Sequence, residues 1–464
     1  MKPIYVRQRI LLPLLIVSLF ISAQAQSQLQ RTAFMGLVPV TTETSESVEV
    51  SSLHPNGTGA AIGLKTGDRI KQLNGQQVND FYHLVELLNG TVEGSALSVS
   101  VLREGKEIEL KGTAKSRPRE QGNDYSAEYS QFSWKGNQIR TITYYPDSPR
   151  KDNAAVMFIQ GYTCGSIDYG MVPEITITQL LATYAKAGFT VFKMEKPGVG
   201  DSSGPLRCAD YDFDTENEAF IAGLNHFKSN DKVNEDKVFV FGHSLGVLHA
   251  ATIAEQGLAM GVMGYGGVLK SWYEYLQDIY TEQSVRYFGV SKVQAKANLK
   301  TVKPFLNQWL NTDNSWQQLT QHSGVKEALQ SDLLPINGEQ IFERHYGFFR
   351  SLNRHDFSVL WSNSQSHTLM MHGTFDIQAI EGSWANQIAR LVNASGLKTA
   401  KAVSFARTEH ALLRYPTLER LQAAMSDGTH QVGNPEDKYN PDIAATSLQW
   451  MQDLLVNNST QEIQ

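Results

Sequence analysis

Val238-Phe-Val-Phe-Gly-His-Ser-Leu-Gly246 is the stretch on which the reading of this chain turns. A short apolar run ends in Gly242-His243-Ser244-Leu245-Gly246, and a helix-like segment follows from Val247 to Glu255. A strand that turns this sharply into a helix demands small residues on both sides of Ser244. A side chain at Gly242 or Gly246 would clash, and Ser244 must take a strained backbone conformation. Its hydroxyl would then stand clear of a sheet edge at a helix N-terminus, where developing negative charge is favoured. Ser244 is therefore the first candidate for chemistry.

Strands and helices alternate from Asn123 onward, which predicts an α/β domain with a largely parallel sheet. Tyr125 to Trp134 and Gln138 to Tyr145 read as an antiparallel lead-in pair, Ala155 to Gln160 and Thr190 to Lys193 as short buried strands. A serine hydroxyl is a weak nucleophile at neutral pH, so it needs a base, and the base needs an orienting carboxylate. Thr368-Leu-Met-Met-His-Gly-Thr-Phe-Asp376 is an apolar strand followed by a loop carrying Asp376. Ala402-Val-Ser-Phe-Ala406 reads as the last strand, and Arg407-Thr-Glu-His410 follows it into a further helix-like segment.

The glycine-flanked serine in this context, followed by an acid and then a histidine at strand ends, resembles the α/β-hydrolase superfamily. The resemblance implies a triad of Ser244, Asp376 and His410, with Glu409 the weaker candidate for the acid. It implies an oxyanion hole built from backbone N–H groups of Leu245 and of Tyr162 in Gly161-Tyr162-Thr163. Gln160 stands where the family often has His, which leaves the second donor open. The insert at about 269–362, rich in Trp, Tyr and Phe, would be a helical cap over the site, most of its aromatics forming its own core. Glu195-Lys-Pro-Gly-Val-Gly-Asp-Ser-Ser-Gly204 reads as a structural turn near the pocket. The resemblance puts Cys164 and Cys208 on neighbouring loops, so a disulfide or two buried thiols both stay open.

The N-terminal quarter has a different look. Ala60-Ala-Ile-Gly-Leu-Lys-Thr-Gly-Asp-Arg-Ile70, with Leu73-Asn-Gly75 and Val78, resembles the central signature of bacterial PDZ domains. Phe34-Met35-Gly36-Leu37 is similar to their carboxylate-binding loop, which would hold the C-terminus of a peptide added as a strand. A spacer module with an unused groove is the competing reading. The expected organisation is a signal peptide at 1–25, a PDZ-like domain at 26–116, a linker at 117–122 and an α/β-hydrolase domain at 123–464. The signal reading rests on Lys2, Arg7 and Arg9, the apolar run Ile10 to Ile21, and Ala23-Gln24-Ala25, and it implies a periplasmic or secreted protein.

Bulk properties narrow the functions. The chain has 464 residues, 41% hydrophobic and 19% charged, with a net charge of -6, which argues against nucleic-acid binding. No segment after the signal is apolar for long enough to cross a bilayer. There is no Cys/His cluster, so neither metal nor cofactor is expected. The expected activity is hydrolysis of small carboxylic esters through an acyl-enzyme. The alternatives are a proline-type serine exopeptidase of the same fold, a thioesterase, and a non-catalytic PDZ scaffold.

Overall fold

The structure is a computed structural model that describes residues 29–40, 47–89, 91–396, 399–430 and 438–461. The signal-peptide segment lies outside the described residues.

The N-terminal unit is a small antiparallel sheet with two helices. Its strands are β1 (Leu37–Pro39), β2 (Val48–Leu53), β3 (Arg69–Leu73), β4 (Gln76–Gln77), β5 (Ala96–Arg103) and β6 (Lys106–Thr113). They run in the order β1-β2-β3-β5-β6, with β4 paired to β3, so β1 lies at an edge. Helices α1 (Thr58–Ile62) and α2 (Phe81–Asn89) accompany them. In β5, Leu97, Val99 and Val101 alternate inward and meet Ile70 and Leu84 in one core, the period-2 pattern of a half-buried strand.

The second unit is built on an eight-stranded sheet. Its strands are β7 (Tyr125–Trp134), β8 (Asn137–Pro146), β9 (Ala155–Ile159), β10 (Thr190–Met194), β11 (Val238–His243), β12 (Gly261–Tyr265), β16 (His367–Gly373) and β17 (Lys401–Phe405), with a small cap sheet of β13 (Ile336–Asn337), β14 (Gln340–Ile341) and β15 (Arg344–His345) intervening. The order is β17-β16-β12-β11-β9-β10-β8-β7. Every pair from β10 to β17 is parallel, and the lead-in strands β8 and β7 are antiparallel. This is the α/β-hydrolase sheet, with the third and fourth strands exchanged in position. All five residues of β9 are buried, because the sheet is covered on both faces. Ala155, Met157 and Ile159 face one core, with α4 (Phe213–Lys228) and α5 (Gly246–Glu255). Val156 and Phe158 face the other, with α3 (Thr176–Lys186) and Pro441–Gln461.

Three details differ from the sequence reading. The cap between β12 and β16 begins with α6 (Trp272–Asp278) and ends earlier than 362. The helix Phe357–Ser362, at the end of the expected insert, packs on α5 and on Ser383–Ala394, so it belongs to the layer covering the sheet. Residues 117–122 are not a solvated spacer. Glu120 is buried, accepts two bonds from Lys193 Nζ at 2.7 and 2.8 Å, and receives the Tyr169 N–H at 2.6 Å. The helix expected directly after His410 starts only at Leu418, because Leu413–Arg414 first forms a short strand.

Candidate active site

Ser244 sits in the turn between β11 and α5 with a φ of 57°, in the left-handed region that side-chain-bearing residues avoid. Two glycines make the turn sterically feasible. A Cβ at Gly242 would stand 2.4 Å from the Gly246 oxygen, and one at Gly246 would stand 2.3 Å from the Ile159 oxygen. The Ser244 N–H is tied to the Tyr265 carbonyl at 2.9 Å, so the strained residue is held from the neighbouring strand as well.

Asp376 follows β16 and His410 follows β17, two parallel neighbours, so both side chains emerge at the same sheet edge as Ser244. His410 Nδ1 lies 2.9 Å from both Asp376 oxygens. Asp376 Oδ1 also accepts the Gln378 and Ala379 N–H groups at 2.9 and 2.8 Å. Burial alone would raise the Asp376 pKa, but the charge and hydrogen bond of His410 hold it below the usual carboxylate value. The same contact, working against burial, raises His410 above the usual imidazole value. His410 Nε2 is buried and has no hydrogen-bond partner among the described residues. It lines a cavity of about 300 Å³ together with Ser244, Leu245 and Tyr162.

Two further groups brace the histidine. His243 Nε2 donates to the His410 carbonyl at 2.9 Å, and burial followed by the neighbouring His410 pushes its pKa down to about 4, so it stays neutral. Glu409 points away from the His410 ring and accepts the N–H groups of Ala411 and Leu413, both at 2.9 Å. Burial pushes the Glu409 carboxyl up to about 7.

The loop after β9 passes close to the serine: a Cβ on Gly161 would be 3.4 Å from Ser244 Oγ. Neither the Leu245 nor the Tyr162 N–H has an acceptor among the described residues. Cys164 and Cys208 are bonded to each other, with Cα atoms 5.8 Å apart, and link this loop to the one following β10. The cap grips the acid loop from above. Tyr275, Gln283 and Tyr287 donate to the carbonyls of Gln378, Ile377 and Asp376 at 3.0, 2.8 and 3.3 Å. The cavity wall is otherwise apolar, with Trp272, Ile279, Phe342 and Phe349 prominent. The cap's hold on the acid loop had no signal in the sequence beyond its aromatic content.

At the N-terminal unit, Phe34 to Leu37 lead into edge strand β1. Gly36 has a φ of 71°, and a Cβ there would meet Gly57 Cα at 2.7 Å. The Phe34 N–H is used by the Lys115 carbonyl at 2.8 Å. Those of Met35 and Gly36 have no acceptor among the described residues.

The family model for the PDZ domain matches residues 33–112. This segment is a PDZ domain. Curated relatives resemble limited parts of the chain. A probable periplasmic DegP-like serine endoprotease of Bartonella henselae is 28% identical over 114 residues, 23% of this chain and 22% of that protein. The periplasmic serine endoprotease DegP of Salmonella typhimurium is 41% identical over 59 residues, 13% of this chain and 12% of that protein. The chain thus spans less than a quarter of these relatives' length. Among solved structures, Est1E from Butyrivibrio proteoclasticus with bound ferulic acid aligns with a TM-score of 0.39 at 14% identity, covering 64% of this chain and 97% of that one. The proline iminopeptidase of Mycobacterium smegmatis aligns with a TM-score of 0.39 at 14% identity, covering 66% and 99%. Among the described residues, no helix is long and apolar enough to cross a membrane, and no His, Cys, Asp and Glu side chains cluster to hold a metal.

Proposed function

We propose that this hydrolase is an exported serine esterase that cleaves small carboxylic esters with apolar or aromatic groups. The observation that carries the reading is His410 Nε2: buried, unpartnered, and facing the same cavity as Ser244. Catalytic hydrogen bonds are often long before substrate binds, so an open Nε2 fits a base awaiting the serine proton. Ser244 Oγ attacks the ester carbonyl while His410 takes its proton. The resulting oxyanion receives the Leu245 and Tyr162 N–H groups. The intermediate collapses to an acyl-serine, and His410 returns the proton to the departing alcohol. Water, deprotonated by His410, then releases the acid and restores Ser244. Asp376 holds the imidazole in the tautomer this requires.

The cavity favours the ester over the peptidase reading, because no carboxylate among the described residues lines it to bind a free amino terminus. Export is supported by the signal-like N-terminus and by the Cys164–Cys208 bond, which suits an oxidising compartment. For the PDZ domain, we propose capture of a peptide C-terminus by the Met35 and Gly36 N–H groups, with the peptide adding to edge strand β1. The test is turnover of nitrophenyl esters of rising chain length against aminoacyl-nitroanilides including proline, with Ser244→Ala as control. Ester turnover lost in the variant supports the reading. Amide turnover at comparable efficiency would replace it with the peptidase.

A further inference from the structure

The Gly161 carbonyl and the Tyr162 N–H are two ends of one planar peptide group, so whatever fixes the first orients the second. Lys196 Nζ donates to the Gly161 oxygen at 2.7 Å. Arg344 Nη1 donates to the next carbonyl along, that of Tyr162, also at 2.7 Å. Both cations meet the same carboxylate. Lys196 Nζ is 2.8 Å from Glu216 Oε1, and Arg344 Nη2 donates to Glu216 Oε2 at 2.8 Å. His249 Nε2 completes the group 3.2 Å from Glu216 Oε1. Lys196 and Glu216 are 0% exposed and Arg344 is 1% exposed.

Burying three charged side chains beside an active site is costly unless each is paired and hydrogen-bonded. Here two cations share one anion, and each points one further donor at one of two consecutive carbonyls of the loop beside Ser244, while Arg344 Nε is buried without a partner among the described residues. The three residues come from distant parts of the chain: the loop after β10, helix α4, and strand β15 of the cap. Before Arg344, Phe342 and Glu343 both take left-handed backbone, with φ of 51° and 63°, a conformation that L residues disfavour and that a turn delivering Arg344 imposes.

We infer that Lys196 and Arg344, clamped by Glu216, are positioning residues: Lys196 fixes and polarises the Gly161–Tyr162 amide as an oxyanion donor, and Arg344 fixes the peptide that follows it, making the cap part of that assembly. A cation hydrogen-bonded at the oxygen of an amide draws density from it and strengthens its N–H as a donor. Burial, opposed by Glu216, brings the Lys196 pKa down to about 8, so it remains mostly charged at neutral pH.

The inference rests on the serine-esterase reading, and the experiment separates the two. Ester and matching thionoester substrates are compared in the full chain, in Ser244→Ala, in Lys196→Met and in Arg344→Lys. An ordered oxyanion hole prefers oxygen to the larger, weakly accepting sulfur. Lys196→Met keeps side-chain length but removes charge and donors, so kcat should fall about tenfold or more, part of what loss of a whole oxyanion donor costs. KM should stay within about twofold, and the preference for ester over thionoester should collapse. Arg344→Lys, which cannot span Tyr162 and Glu216 together, should fall between the two. A folded Lys196→Met with wild-type kcat would overturn the inference. So would ester and thionoester rates falling in parallel, which is what a merely structural role predicts. If Lys196→Met does not unfold cooperatively, Arg344→Lys and Arg344→Gln give the same ratio. Turnover surviving in Ser244→Ala would instead remove the esterase reading and the inference with it.

Discussion

His410 and Asp376 shift in opposite directions because each stabilises the other's charge, and that sets the expected pH behaviour. The base works only when neutral. Its pKa is raised above the usual ~6.5 by Asp376, which faces the ring, with a smaller contribution from the charge of Glu409, turned away from it, and with His243 and His372 nearby. Ester kcat/KM should therefore be low in acid, rise as the pH climbs through that raised value, and level off above it. A profile already flat below about pH 6 would count against His410 as the base. Asp376→Asn keeps the shape but favours the wrong tautomer, so kcat should drop on the order of 10⁴-fold while the fold survives. A loss under about tenfold would point to another acid. At this scale the sequence was informative where backbone strain forces residue choice. Gly242, Ser244 and Gly246 stand out because few other residues fit. Glu216 and Arg344 did not stand out, since their partners lie far away along the chain and no local spacing records them. Lys196 did leave a trace, as an ionisable residue just beyond buried strand β10, and the structural-turn reading of that loop passed over it.

Among the elements, the cap does more than cover the cavity. It holds carbonyls of the acid loop through Tyr275, Gln283 and Tyr287, and that of Tyr162 through Arg344. Its wall should also set substrate size. Trp272 stacks on Phe349 with ring centroids 4.9 Å apart and lines the cavity. Trp272→Ala should widen the acyl site and move the preferred nitrophenyl ester to longer chains, by about tenfold or more in relative kcat/KM. An unchanged chain-length profile would place the acyl group elsewhere. The sheet strands were legible to within a residue or two, because a core on both faces demands continuous apolar runs. The cap's lower edge was not, since Phe357–Ser362 carries the same aromatic signal whether it packs on the cap or on α5.

Across the whole molecule, the PDZ domain and the segment leading into it are joined to the α/β domain by buried charge. Arg31, 7% exposed, lies 2.7 Å from Asp168 and 3.3 Å from Asp201, and Arg140 lies 3.2 Å from Asp201. Thr32 adds bonds from its N–H and hydroxyl to Asp201 at 2.9 and 3.0 Å. Arg31→Met would leave buried Asp168 without its cation, since Asp201 keeps Arg140, at a cost of about 3–5 kcal/mol for a broken buried pair. Limited proteolysis should then cut near residues 117–122 faster than in the parent chain. Equal cutting rates would mean that the contact does not hold the domains together. The two-domain plan was readable from the glycine-rich PDZ signature and the serine turn, each a local feature. The junction was not, because Arg31 and Glu120 look like ordinary surface charges until the fold buries them. Ser244 as nucleophile is the claim on which the rest depends. It is tested most directly by treating the full chain with a fluorophosphonate probe and mapping the adduct by peptide mass spectrometry. The account predicts one adduct per chain, on Ser244, with ester turnover lost in step and no label in Ser244→Ala. An unlabelled Ser244, or turnover that persists after Ser244 is modified, would contradict it.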